Sequence, residues 1–173
     1  MTAVEQLLDS IAGWELEDVL VPGYLDRDDG PPRFAPLADQ LYLVLDGKYL
    51  LIESVGNRGQ LSMRISGRIE VPAALLGEDE EFAVSSVGSL FLDTSDGNSR
   101  LAGVRYSLNF ESDATQGTVR CIEFCFGGFN VLFADPMWHL GIRLGGAGAY
   151  DDWSAHDRDP MNSVRGFRWT PAK

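Results

Sequence analysis

The chain has 173 residues, with 14 basic and 26 acidic side chains, a net charge of −12, 45% apolar residues and 10% aromatic ones. That apolar content excludes the disordered class, and a chain of this length buries about 70% of its unfolded surface, so one domain over residues 1–173 needs no disulfide or metal to fold. Non-specific affinity for nucleic acid comes from Lys and Arg at phosphates, and a field of this sign opposes it. No apolar run approaches the ~18 residues of a membrane span. The N-terminus lacks the basic start and long apolar stretch of a signal peptide. A cytoplasmic protein with neither a nucleic-acid nor a membrane partner is expected.

The first element is a helix over residues 2–16. Thr2 with Glu5 three positions on fits a capping box, and Val4, Leu7, Leu8 and Ile11 form a stripe at helical spacing. Residues 22–37 carry Pro22, Gly23, Gly30, Pro31, Pro32 and Pro36 among acids and read as a surface loop. Leu41 to Leu45, Asp46-Gly47 and Lys48 to Ser54 form a hairpin, because Asp-Gly supplies the positive φ angles of a type I′ turn. A turn at Asn57 to Gly59 leads into a strand over 60–71, in which Leu61, Met63, Ile65, Ile69 and Val71 alternate with polar residues.

Residues 73–76 suit a short helical turn, and Phe82 to Asp93 a strand with a bulge or bend at Gly88. Ser95 to Asn98 is a turn. Val104, Tyr106, Leu108 and Phe110 alternate with Arg105, Ser107, Asn109 and Glu111, which predicts a half-buried strand over 103–111. Residues 118–126 are apolar on both sides of the pleat and belong in a sheet centre. Gly127-Gly128 turns the chain into Phe129 to Ala134, and Leu140 to Leu144 is one more short strand. Residues 145–173 read as an irregular tail. The expected class is α+β, mainly β: a curved antiparallel sheet or barrel-like meander of seven to eight strands over 38–144 with one N-terminal helix.

Chemistry is less legible. Cys121 and Cys125 lie four positions apart on one strand face, roughly 13 Å, too far for a disulfide, and read as buried free thiols. The densest collection of reactive groups is Asp135, His139, Asp151, Asp152, His156, Asp157 and Asp159, which includes both histidines. Their spacing matches no His-Glu-x-x-His, EF-hand or facial-triad pattern, so no metal site and no cofactor are expected. Ser154 and His156 come without a Gly-x-Ser-x-Gly elbow, and Gly145-Gly-Ala-Gly148 lacks the Lys-Ser/Thr of a phosphate loop. No catalytic residues are assigned. The candidate binding residues are Asp135, Trp138, His139, Tyr150, Trp153 and His156, where aromatic anchors and polar groups follow the break at Asp135-Pro136.

The acids are uneven. Eight fall in the first thirty residues against Arg27 alone, and Glu78 to Glu81 form a second run. Charge of this sign attracts a basic partner and speeds its association. In size, acidity and want of a catalytic signature the chain resembles the small bacterial immunity proteins that neutralise toxins, a likeness of bulk properties over the whole chain. The first functional expectation is therefore a non-enzymatic acidic binding protein, an inhibitor of a basic protein such as a nuclease-type toxin. The alternative is a small-ligand binder or enzyme using a cavity in the curved sheet, with Asp135, Trp138 and His139 at its mouth.

Overall fold

The structure is a computed structural model that describes all residues except 28–29, 57, 77–79, 94–98, 157–162 and 173, together with the side chains of Ala74 and Trp138. The chain opens with helix α1 (Ala3–Ser10). The Thr2 hydroxyl accepts from the Glu5 amide, and the Glu5 carboxylate accepts from the Thr2 amide. The helix is shorter than the expected 2–16. Its apolar stripe ends at Ile11, Gly13 takes a left-handed φ of 74°, and Leu16 is already paired in a sheet.

Among the described residues twelve strands follow: β1 (Leu16–Asp26), β2 (Arg33–Pro36), β3 (Gln40–Leu45), β4 (Lys48–Ser54), β5 (Leu61–Ser66), β6 (Glu81–Ser86), β7 (Leu101–Leu108), β8 (Thr118–Val119), β9 (Cys121–Phe126), β10 (Val131–Pro136), β11 (Ile142–Gly145) and β12 (Arg165–Trp169). A second helix, α2 (Ala149–His156), lies between the last two. The strands form two antiparallel sheets. One has the order β2-β1-β3-β4-β5-β8, with β6 on the free edge of β1, and the other β11-β10-β9-β7-β12. The protein is thus α+β and mainly β, as its alternation requires, with the strands divided between two open sheets and no closed barrel.

The β3–β4 hairpin forms as its Asp-Gly pair dictates, with φ of 47° at Asp46 and 68° at Gly47. The presumed loop 22–37 instead contains the end of β1, from Pro22 to Asp26, and all of β2. Pro22 is tolerated because the β1 edge that met β3 up to Leu20 meets β2 from Gly23 onward. Its carbonyl accepts from the Leu37 amide, so the ring nitrogen faces the same gap and leaves no ladder position empty. The predicted strand 60–71 stops at Ser66, and the strand from Phe82 stops at Ser86 before a 3-10 turn over Gly88–Leu90. The turn residues Asn57 and Ser95 to Asn98 lie outside the described residues.

One core joins the sheets. It takes Val4 and Leu8 from α1 and Ile11 from its C-cap, Leu43, Leu50, Ile52 and Leu61 from the first sheet, and Val104, Ile122, Phe124 and Leu132 from the second. Chain and core change sheets together: β8 pairs with β5, Arg120 follows, and β9 takes the centre of the second sheet. Among the described residues no helix is long and apolar enough to cross a membrane.

The stretch 145–173 is not an irregular tail. Helix α2 covers the outer face of the second sheet, and β12 completes that sheet beside β7. Gly145 is needed where β11 hands over to the helix, since a Cβ there would stand 2.6 Å from the Ala149 Cβ.

Candidate functional site

Strands β7, β9 and β10 obey the period of two. Each sends apolar residues into the shared core and a second set outward: Arg105 and Ser107, then Cys121, Glu123 and Cys125, then Phe133 and Asp135. Of the outward set, Ser107, Cys121, Glu123, Phe133 and Asp135 are buried too, because α2 lies across it, while Arg105 and Cys125 are half-buried. Tyr150 and Trp153, three positions apart on one helix face, pack on Cys121 and Phe133. Ring centroids are 5.9 Å apart for Phe133 and Tyr150 and 6.2 Å for Phe133 and Trp153. The Tyr150 hydroxyl lies 2.7 Å from the Ser107 hydroxyl. Arg105 reaches up to Asp151 at 2.7 Å with its guanidinium over the Tyr150 ring.

Beside this contact, between α2 and strands β10 and β11, a cavity of about 510 Å³ opens to solvent. That volume suits a small organic molecule. Phe133, Met137, Leu144 and Trp153 supply its apolar walls, and Arg120, Asp135, Arg143, Asp152 and His156 its polar groups. The Asp135 carboxylate is buried and receives two guanidinium donors, Arg120 Nη1 at 2.6 Å and Arg143 Nη2 at 2.7 Å. Arg120 is buried with it and lies 5.3 Å from the Trp153 ring centre. Arg143 is half-exposed and makes no other contact of this kind among the described residues. The pair Arg120–Asp135 is thus a fixed, desolvated wall, and Arg143 extends it toward solvent.

On the helix side, His156 Nδ1 is 2.7 Å from the Asp152 carbonyl. A carbonyl only accepts, so Nδ1 carries the hydrogen of this contact, and the ring lines the cavity. The Asp152 side chain is exposed and has no hydrogen-bond or ion-pair partner among the described residues.

A second polar group lies under the helix. The buried Glu123 accepts from Arg105 Nε at 2.6 Å through Oε1, while Oε2 has no hydrogen-bond partner among the described residues. The hydrogen bond to Glu123, then that to Asp151, holds the Arg105 pKa above its ordinary value. The same contact with Arg105 lowers that of Asp151. Burial first, and Glu123 second, push the Cys125 thiol up, which makes it a poor nucleophile. Neither Cys121 nor Cys125 is in a disulfide; Cys121 is buried, whereas Cys125 is half-buried rather than buried as expected.

The sequence-derived residues divide. Asp135, Trp153 and His156 line the cavity, and Tyr150 anchors the helix behind it. His139 is exposed on the 3-10 turn Trp138–Leu140, away from the cavity lining and from any core. Trp138 shares that turn, and Asp157 and Asp159 lie outside the described residues. Among the described residues no three His, Cys, Asp or Glu side chains are grouped to hold a metal ion. Arg120 and Arg143 were missed. A signal existed for Arg120, which with Glu123 is one of two charges in the otherwise mostly apolar run 118–126 and which folding must bury with a partner.

Comparison of the chain with protein-family models, with curated proteins and with solved structures finds no match.

Proposed function

We propose that the chain is a small-ligand-binding protein of the bacterial cytoplasm and that its site is the cleft beneath α2. The observation that carries this reading is the coincidence of an open 510 Å³ cavity with a buried Arg120–Asp135 pair and a half-exposed Arg143 in its wall. Burying an ion pair stabilises a fold little compared with apolar replacement, so specificity for an occupant is a better account of it. The test is a screen of small organic molecules by saturation-transfer NMR against the wild type and Met137→Trp, whose larger side chain fills the cleft. Hits lost in the variant support the site, and hits that bind both proteins alike overturn it.

A second reading has its own observation. Glu15, Glu17 and Asp46 gather at the β3–β4 turn, where the Glu15 amide donates to Asp46 and the Gly47 amide to Glu17, and none has an ion-pair partner among the described residues. With a net charge of −12, this end suits a basic protein partner of the immunity type. Its test is binding to a basic nuclease domain encoded by a neighbouring gene, with an affinity that falls as salt rises.

A further inference from the structure

The lining of the cleft says what kind of molecule it takes, if the cleft is the site proposed above. Its charges come in two classes. Arg120 and Asp135 neutralise each other in the wall and are buried. Arg143 and Asp152 stand outside that pair, one on β11 and one on α2, both open to solvent and both lining the same cavity. Arg143 spends one nitrogen on Asp135, and a guanidinium has further donors in its plane, matched to a carboxylate. Asp152 offers two acceptor oxygens with no other partner among the described residues.

The formal charges of Arg120, Asp135, Arg143 and Asp152 sum to zero. A net anion would meet Arg143 and be opposed by Asp152, and a net cation would meet the reverse. A zwitterion satisfies both. The same cavity is lined by Phe133, Met137, Leu144 and Trp153, which fit an apolar or aromatic body. Asp152 is exposed, and Arg143, half-exposed, keeps donors beyond the one it gives Asp135, so both can meet an occupant.

We infer that the cleft binds a small zwitterion with an apolar side chain, the chemical class of an aromatic or large aliphatic α-amino acid, with its carboxylate on Arg143 and its ammonium on Asp152. Three probes of one shape separate the charges: L-phenylalanine carries both, 3-phenylpropionate lacks the ammonium, and 2-phenylethylamine lacks the carboxylate. Titration calorimetry of the full chain is expected to give phenylalanine an affinity about tenfold or more above either analogue, as charged hydrogen bonds are worth. Arg143→Gln is expected to remove that advantage without weakening phenylethylamine, and Asp152→Asn to remove it without weakening phenylpropionate. Melting curves check that each variant is folded. Asp152 is exposed and free, so its variant stays informative if loss of Arg143 disturbs Asp135.

An analogue that binds as tightly as phenylalanine, or phenylalanine binding that ignores both substitutions, overturns the inference. If none of the three binds while the fragment screen still finds ligands lost in Met137→Trp, the zwitterion is wrong and the cleft stands. If that screen also fails, the site itself is wrong.

Discussion

The two faces of the second sheet are made by the same strands and are both buried, yet they differ in kind. On β9, Ile122 and Phe124 enter the core shared with α1 and the first sheet, while Cys121 and Glu123 on the other face meet α2, and all four are essentially inaccessible. The inner face is continuous and apolar. The outer face mixes Phe133, Tyr150 and Trp153 with Glu123, Arg105, Asp135 and Arg120, and holds an open cavity between α2 and strands β10 and β11. Packing explains the first face completely. The second carries charges that packing alone does not require, and that difference is the ground for placing function there.

The largest expected effects strike each face in its own way. Phe124→Ala opens a hole in the inner core and is expected to cost about 3–5 kcal/mol in denaturant unfolding, with no effect on the cleft beyond lost stability. Asp135→Ala leaves Arg120 buried without its carboxylate, and a cost of about 3–5 kcal/mol is expected for breaking one side of a buried pair. A double variant, Asp135→Leu with Arg120→Met, removes both charges and is expected to recover most of that loss while abolishing ligand capture. Recovery of both would show that the charges serve neither face. Thr2→Ala removes the cap of α1 and is expected to cost about 1 kcal/mol, felt by the inner core alone.

Smaller effects follow from titration. The carboxyls of Glu70, Asp113 and Asp151 are lowered by their hydrogen bonds, first of all to Arg64, Thr115 and Arg105 respectively. Their stabilisation is present above the ordinary 4.5 of Glu70 and 3.8 of the two aspartates and is lost as pH falls below those values. All three are exposed, so the acid loss in melting temperature is expected to be slight. Burial raises the hydroxyls of Tyr42, Tyr106 and Tyr150. Their contribution is intact below pH 10.0 and lost above it, and ultraviolet titration should find these three ionising later than that value until the fold opens. Thiol labelling should reach Cys125 before the fully buried Cys121.

The comparison also shows what a sequence of this kind reveals. Alternation in 103–111 and 118–126 told which residues share a face, and the Asp46-Gly47 turn and the Thr2–Glu5 cap were local signals with local causes. What covers a face is decided elsewhere in the chain. Arg105 and Ser107 read as solvent-facing, and they are covered because Tyr150 and Trp153 sit three apart on a short helix in a glycine-rich stretch that looked irregular. β1 was hidden by Pro22 because the exemption depends on a change of partner strand. Asp135, Trp153 and His156 were found by chemical type, and His139 was drawn in by its place in sequence. Arg143 had no local mark, since its partner is set by the β10–β11 register, which pairs it with Asp135.

The most direct test uses one indole from each face. Trp153 lines the cleft, and Trp169 packs at the inner core with its Nε1 donating to Asp9 at 2.8 Å. Two-dimensional NMR of the folded chain, titrated with whichever molecule the screen or the zwitterion probes identify, should move the Trp153 indole signal and leave that of Trp169 in place. A ligand that shifts Trp169, or binds while leaving Trp153 unmoved, would contradict a binding site beneath α2.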